Sequence, residues 1–293
     1  MAVTPVISGI AGPADLAEAL RDAQYLAGED LSTAAYLALA LGKPLLLEGA
    51  PGVGKTEGAK AIASILGRQL VRLQCYEGID ASAALYEWNY PRQMLAIRQA
   101  GNEYVNIYAD DFLVARPMLE ALRHPSDTVL LIDEIDRADH EFEAFLLEFL
   151  SDFSISIPET GTVRAEVQPV VILTSNRTRE LHEALRRRCV YHYIGYPDAA
   201  REATIVMMRA STVTRETAAK VVRAVSALRE EPLAKAPGVA ETVEWAEAAT
   251  LLNTQGSTWP LAFRRAIGVS LKAQADVTVL ADRLDALIDD AVA

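Results

Sequence analysis

The chain has 293 residues, 51% of them apolar, enough for one large domain or two modest ones with a sizeable core. Forty acidic against 28 basic residues leave a formal charge of −12, which argues against a bulk electrostatic grip on nucleic acid or on an anionic membrane. Cys75 and Cys189 have neither CxxC nor zinc spacing, and the four histidines are scattered, so reduced core thiols and no structural metal are expected. No basic residue precedes Arg21, as a signal peptide would require, and no apolar run reaches the ~18 residues of a membrane span, so a cytoplasmic chain is expected.

In chain order, KPLLLEG (Lys43–Gly49) reads as a buried strand and Lys55–Leu66 as a helix with apolar spacing of three and four. Gln69–Tyr76 and Thr128–Ile135 are further strands, His140–Asp152 an amphipathic helix, and Gln168–Asn176 and Cys189–Tyr196 the last two strands. Strands alternating with helices predict an α/β fold with a mainly parallel sheet covered on both faces. After Pro197 the strand signals stop, and four runs with helical periodicity follow: 198–210, 215–231, 240–252 and 261–274. The expected organisation is therefore an α/β domain over residues 1–197 and an all-α domain over 198–293.

GAPGVGKT, formed by Gly49, Ala50, Pro51, Gly52, Val53, Gly54, Lys55 and Thr56, fits G-x-x-x-x-G-K-[ST] between a strand and a helix. Glycines let backbone N–H groups turn inward around a phosphate, and the helix N-terminus adds partial positive charge. Lys55 is expected to reach the β- and γ-phosphates of ATP, and Thr56 to hold Mg²⁺. VLLIDEIDRAD (Val129–Asp139) places Asp133 at a strand end, where it would join Thr56 at the metal, with Glu134 next to orient or deprotonate the attacking water. Asp136 and Asp139 read as a helix cap and surface charge. If the Gln168–Asn176 strand lies between the first and third, Asn176 points into the cleft. An amide there can hold water or the γ-phosphate; the alternative is a cap on the next helix. The run Arg186, Arg187, Arg188 either closes a helix with favourable charge or supplies an arginine to a neighbouring subunit's site.

Together these features resemble an AAA+ ATPase. SDFSISIPETGTVRAEVQP (Ser151–Pro169) is similar to the β-hairpin that precedes sensor 1 in later clades. The stretch from Tyr76 to Thr128 exceeds a simple crossover and leaves room for an insertion in helix 2, as in the MoxR family. RLQCYEGIDASAALYEWNYPRQML (Arg72–Leu95), DDFLVARPMLEAL (Asp110–Leu122) and PGVAETVEWAEA (Pro237–Ala248) resemble the MoxR branch of the carbon monoxide dehydrogenase maturation ATPase.

The resemblance implies a five-stranded core of order 5-1-4-3-2 followed by a helical lid. It implies a homo-oligomer, a hexameric ring, that hydrolyses ATP with Mg²⁺ and remodels a protein. A partner with a von Willebrand factor A domain is implied, as is a metalloenzyme client such as a molybdenum hydroxylase. By position, Gly49, Gly52, Gly54, Lys55 and Thr56 match Walker A, Asp133 and Glu134 Walker B, and Asn176 sensor 1. Arg188 matches the finger acting in trans, with Arg187 the runner-up. The chain departs from the pattern at sensor 2: GVAETV (Gly238–Val243) has no arginine, and Arg264 and Arg265 lie one helix later.

Two other classes compete. A nucleic-acid-dependent motor shares the core but is disfavoured by the acidic balance. A P-loop kinase for small molecules would need no arginine in trans. Tyr86, Trp88 and Tyr90 alternate and suit either packing or a grip on a client in a central pore, and Gly101–Asp111 is the expected exposed pore segment.

Overall fold

The computed structural model describes residues 9–292, so the outermost positions of both expected domains lie outside the described residues. The chain divides into two compact units. One holds the chain through Ala23, Ala27–Glu48 and Thr56–Tyr193; the other holds Gln24–Leu26, Gly49–Lys55 and everything from Ile194 onward. The division at Tyr193/Ile194 precedes the expected domain boundary after residue 197, and the glycine loop groups with the C-terminal residues.

The first unit is built on a sheet of β1 (Leu45–Gly49), β2 (Gln69–Gln74), β3 (Thr128–Asp133), β4 (Val170–Ser175) and β5 (Val190–Ile194), in the order β2-β3-β4-β1-β5. This is the expected 5-1-4-3-2 order, and the pairings β2–β3, β3–β4 and β4–β1 are parallel. Position in the sheet explains composition. Every residue of β1, β3 and β4 is buried, which demands uninterrupted apolar runs such as VLLI and VVIL. The edge strand β5 instead alternates, with Tyr191 and Tyr193 exposed between half-covered neighbours. Leu46, Ile132, Leu173, Phe142, Phe149 and Leu185 are among the side chains packed into this unit's core.

The expected insertion and hairpin are present. Tyr86–Trp88 pairs antiparallel with Leu113–Ala115, around a helix at Tyr90–Ala100. Ser154–Ile157 pairs antiparallel with Gly161–Arg164, putting Ile155 and Ile157 in the core. Alternation of the aromatics stops at the helix: Trp88 is buried, whereas Tyr90 opens the helix and is exposed. Tyr108 meets the Trp88 ring edge-on at 5.4 Å, and Tyr104 is 91% exposed.

From Ala199 onward the second unit is helical. Asp198 and Thr214 cap the helices Ala199–Arg209 and Arg215–Arg229 by accepting from Arg201 N and Thr217 N. Val239–Thr254 follows. The last expected helix is two short ones, Trp259–Arg265 and Ile267–Ser270; the turn at Ala266 lets Phe263 and Leu271 both reach the interior. Gln274–Val279 and Leu284–Val292 extend the helical region beyond the expected four. Trp245 centres this core, its indole N–H donating to Phe263 O at 3.1 Å. No helix among the described residues is long and apolar enough to cross a membrane.

Candidate functional site

β1 ends at Gly49, and the loop it feeds carries Gly52 at φ +78° and Gly54 at φ +93°, left-handed conformations that a side chain disfavours. Lys55 and Thr56 open the helix Lys55–Ile65. Lys55 is buried, and its ammonium curls back to donate to Gly49 O at 2.9 Å and Ala50 O at 2.8 Å. The cation is thus held inside the loop's own arc, and a bound phosphate would compete with these two carbonyls for it. The next residue, Thr56, donates its hydroxyl to Asp133 Oδ1 at 3.1 Å, across 77 residues of sequence.

Asp133 ends β3 with its side chain 2% exposed. Besides Thr56, its carboxylate accepts from the Thr174 hydroxyl and from Arg72, whose Nε lies 2.8 Å from Oδ2. Thr174 is a hub, because its oxygen also accepts from Glu134 N at 2.9 Å. That bond holds Glu134 in a left-handed conformation, φ 55° and ψ 49°, which costs of order 1 kcal/mol or more in a residue with a side chain. The Glu134 carboxylate accepts from Gln74 Nε2 at 3.1 Å and Arg137 at 3.2 Å. Hydroxyl and carboxylate side by side at Thr56 and Asp133 are the hard oxygen donors that suit Mg²⁺, so these residues fit the metal expected there.

Arg72, Gln74 and Thr174 were not among the expected site residues. The signal for the first two is register: Gln74 of β2 is the Cα partner of Asp133, and Arg72 shares its face two residues back. Thr174 lies within the strand already expected to carry Asn176.

β4 lies between β1 and β3, as the Asn176 assignment required. Asn176 follows that strand, half-buried, and its backbone N–H donates to Asp136 Oδ1 at 3.0 Å. The reading of Asp136 as a cap or surface charge is corrected here. Asp139 is the cap, accepting from Phe142 N at 2.9 Å, while Asp136 is 2% exposed. Asp136 also accepts from Thr178 N at 2.8 Å and the Thr178 hydroxyl at 2.7 Å, binding the Asn176 loop to the end of β3. Burial pushes its carboxyl pKa up, but the bonds from Thr178 and Asn176 outweigh burial and hold it below the usual carboxylate value.

The three arginines close the helix Glu183–Arg188 and are all exposed. They diverge. Arg187 pairs with Glu183 one turn back; Arg188 donates to Ser151 Oγ at 3.2 Å. Arg186 lies over the Tyr191 ring at 5.4 Å and, with Arg177, lines a cavity of 360 Å³ together with the buried Glu48, which accepts from Tyr191. Of the sensor 2 candidates, Arg264 is bound to Asp289 at 2.8 Å and Asp285 at 2.6 Å, and Arg265 reaches Ser257 Oγ at 3.5 Å. Cys75 and Cys189 are free thiols, each pushed up to about 12 chiefly by burial, and therefore protonated at neutral pH.

The loop Gly49–Lys55 can cradle a phosphate chain on backbone amides and a buried lysine; in the first unit, Thr56 and Asp133 offer oxygen donors to a divalent cation, and Glu134 follows Asp133 in sequence. Comparison with known proteins agrees. Over 131 residues, 44% of this chain, the sequence is 30% identical to the chaperone protein ClpB of Bacillus cereus, and likewise to that of Bacillus anthracis. The match spans only 13% of the length of those relatives. The profile of the ATPase family associated with various cellular activities (AAA) matches residues 45–195, over half the chain and all five strands of the sheet, and the chain belongs to that family.

Proposed function

We propose that this chain hydrolyses ATP and uses the energy to remodel a protein, as a MoxR-type ATPase assembled into a hexameric ring. The observation that carries the ATPase reading is the juxtaposition of Thr56 with the buried Asp133, beside Lys55 in sequence and Glu134 after the strand. Lys55 meets ground-state phosphate charge. Thr56 and Asp133 hold Mg²⁺, which when bound neutralises charge on the phosphates. Glu134, restrained by Gln74 and Arg137, orients the attacking water or takes its proton, and Asn176 contacts the water or the γ-phosphate. Arg188, or Arg187, reaches a neighbouring subunit's site, where charge developing in the transition state rewards an added cation.

The MoxR assignment rests on the Arg72–Leu95 run and on the insertion at Tyr86–Ala115 and the hairpin at Ser154–Arg164. The relatives' name as chaperone proteins supports a protein client. We take that client to be a metalloenzyme awaiting its metal centre, a molybdenum hydroxylase such as carbon monoxide dehydrogenase, reached with a partner carrying a von Willebrand factor A domain. Affinity capture on a Glu134→Gln ring tests this in ATP. An adhesion-type partner and an immature metalloenzyme should be retained, and both lost with Lys55→Ala. Retention of nucleic acid with neither protein would overturn the client reading.

A further inference from the structure

The helix Val239–Thr254 begins against the phosphate loop, backbone to backbone. Val239 N–H, an amide with no partner inside its own helix, donates to Gly52 O at 2.9 Å. No side chain fits between the two segments. A Cβ on Gly238 would lie 2.7 Å from Gly52 Cα and 3.0 Å from its carbonyl carbon; one on Gly52 would lie 2.8 Å from Gly238 Cα. Gly238 N–H is satisfied by Glu241 Oε2 at 3.1 Å. Gly238 and the loop Gly49–Lys55 belong to the same compact unit.

Gly238 is itself fixed by a closed polar network. Arg229 Nε donates to Pro237 O at 2.8 Å, and the guanidinium clasps Glu202 through two bonds of 2.7 and 2.8 Å. Its face lies 4.2 Å from the centre of the Tyr196 ring. Glu202, 1% exposed, also accepts at 2.7 Å from the Thr242 hydroxyl, and Thr242 N–H donates to Gly238 O at 3.1 Å. A buried ion pair is costly to assemble and is tolerated when every member is satisfied. Here the satisfied set holds both peptides that flank Gly238, the residue facing Gly52.

We propose that Gly238 is a positioning residue for the nucleotide site, holding the phosphate loop in its receiving shape through Gly52, with Arg229 and Glu202 as its anchors. The inference rests on the reading of the loop as a nucleotide site. Where the family resemblance would place a sensor 2 arginine, this chain meets the loop with the Val239 amide and with the Glu241 carboxylate, whose Oε2 would lie 3.1 Å from a Cβ on Gly52. A loop rich in glycine has many conformers, and a brace that selects one removes an ordering cost from binding.

The test is titration of fluorescently labelled ADP against the full chain, alongside thermal unfolding without nucleotide. Gly238→Ala should weaken ADP by about tenfold or more, as the cost of ordering the loop returns to the binding step. Glu202→Gln keeps the side chain's shape but not its charge toward Arg229; it should weaken ADP in the same direction and carries the test if Gly238→Ala does not fold. Gly268→Ala, whose added Cβ meets nothing within 4 Å, should bind as wild type. A merely structural role predicts lower melting temperatures with unchanged affinity of the folded protein. That result, or wild-type affinity in both Gly238→Ala and Glu202→Gln, overturns the proposal. Lys55→Ala separates the two levels: if it binds ADP as tightly as wild type, the loop is not the nucleotide site and the brace falls with it.

Discussion

Asp136 shows how far a residue's role depends on partners remote in sequence. By position it is one of several carboxylates after a strand; by contact it is the buried anchor of the Asn176 loop, through residues 40 and 42 positions away. Asp136→Asn keeps the shape but puts N–H where one acceptor oxygen was. It should cost about 1–3 kcal/mol of unfolding free energy at pH 7, measured in urea. The carboxyl's folded pKa lies below its unfolded value. Its contribution is therefore complete above the unfolded pKa of about 4 and lost as pH falls through the folded one, so the gap between variant and wild type should narrow below about pH 4. A gap constant from pH 7 to pH 3 would mean that the charge is not what holds the loop.

Among elements, those fully buried were the most legible. β3 and β4 carry the unbroken apolar runs VLLI and VVIL because both faces are covered, and the phosphate loop announces itself by glycines between a strand and a helix. Contacts made by register were less so: Arg72 and Gln74 meet Asp133 and Glu134 only once β2 is laid against β3. The contact between Gly52 and Gly238 spans 186 residues of sequence and involves no side chain, so no pattern of residue types could reveal it. In the insertion, alternation suggested a single aromatic face, whereas Asn89 caps a helix by accepting from Arg92 N, which turns Tyr90 away from Trp88. Trp88→Ala should therefore lose about 3 kcal/mol or more of stability, as large aromatics in a core do. Tyr104→Ala should stay within about 0.5 kcal/mol of wild type, as exposed substitutions do. Comparable losses for both in urea titrations would place Tyr104 in the packing after all.

For the whole molecule, the proposed ring would give the arginines at 186–188, on an exposed helix end, a neighbour to reach. Arg188→Ala subunits keep their own phosphate loop but lack the added cation; Glu134→Gln subunits keep the cation but lack the carboxylate. Each should be inactive alone, and mixtures should regain part of the ATPase rate, because some Arg188→Ala sites then face an intact arginine. Parallel mixtures with Arg187→Ala decide between the two residues, and with no recovery in either series both revert to a charged helix end.

The central proposal is that Lys55 serves ATP binding and Glu134 serves its hydrolysis, so that binding and chemistry are separable. Its most direct measurement is ATP retained against phosphate released, on wild type, Lys55→Ala and Glu134→Gln with Mg²⁺. Wild type should bind and turn over, and Lys55→Ala should do neither. Glu134→Gln should retain ATP while releasing phosphate at least about a hundredfold more slowly, the lower end of what a positioned general base supplies. Phosphate release by Glu134→Gln at the wild-type rate would contradict the account.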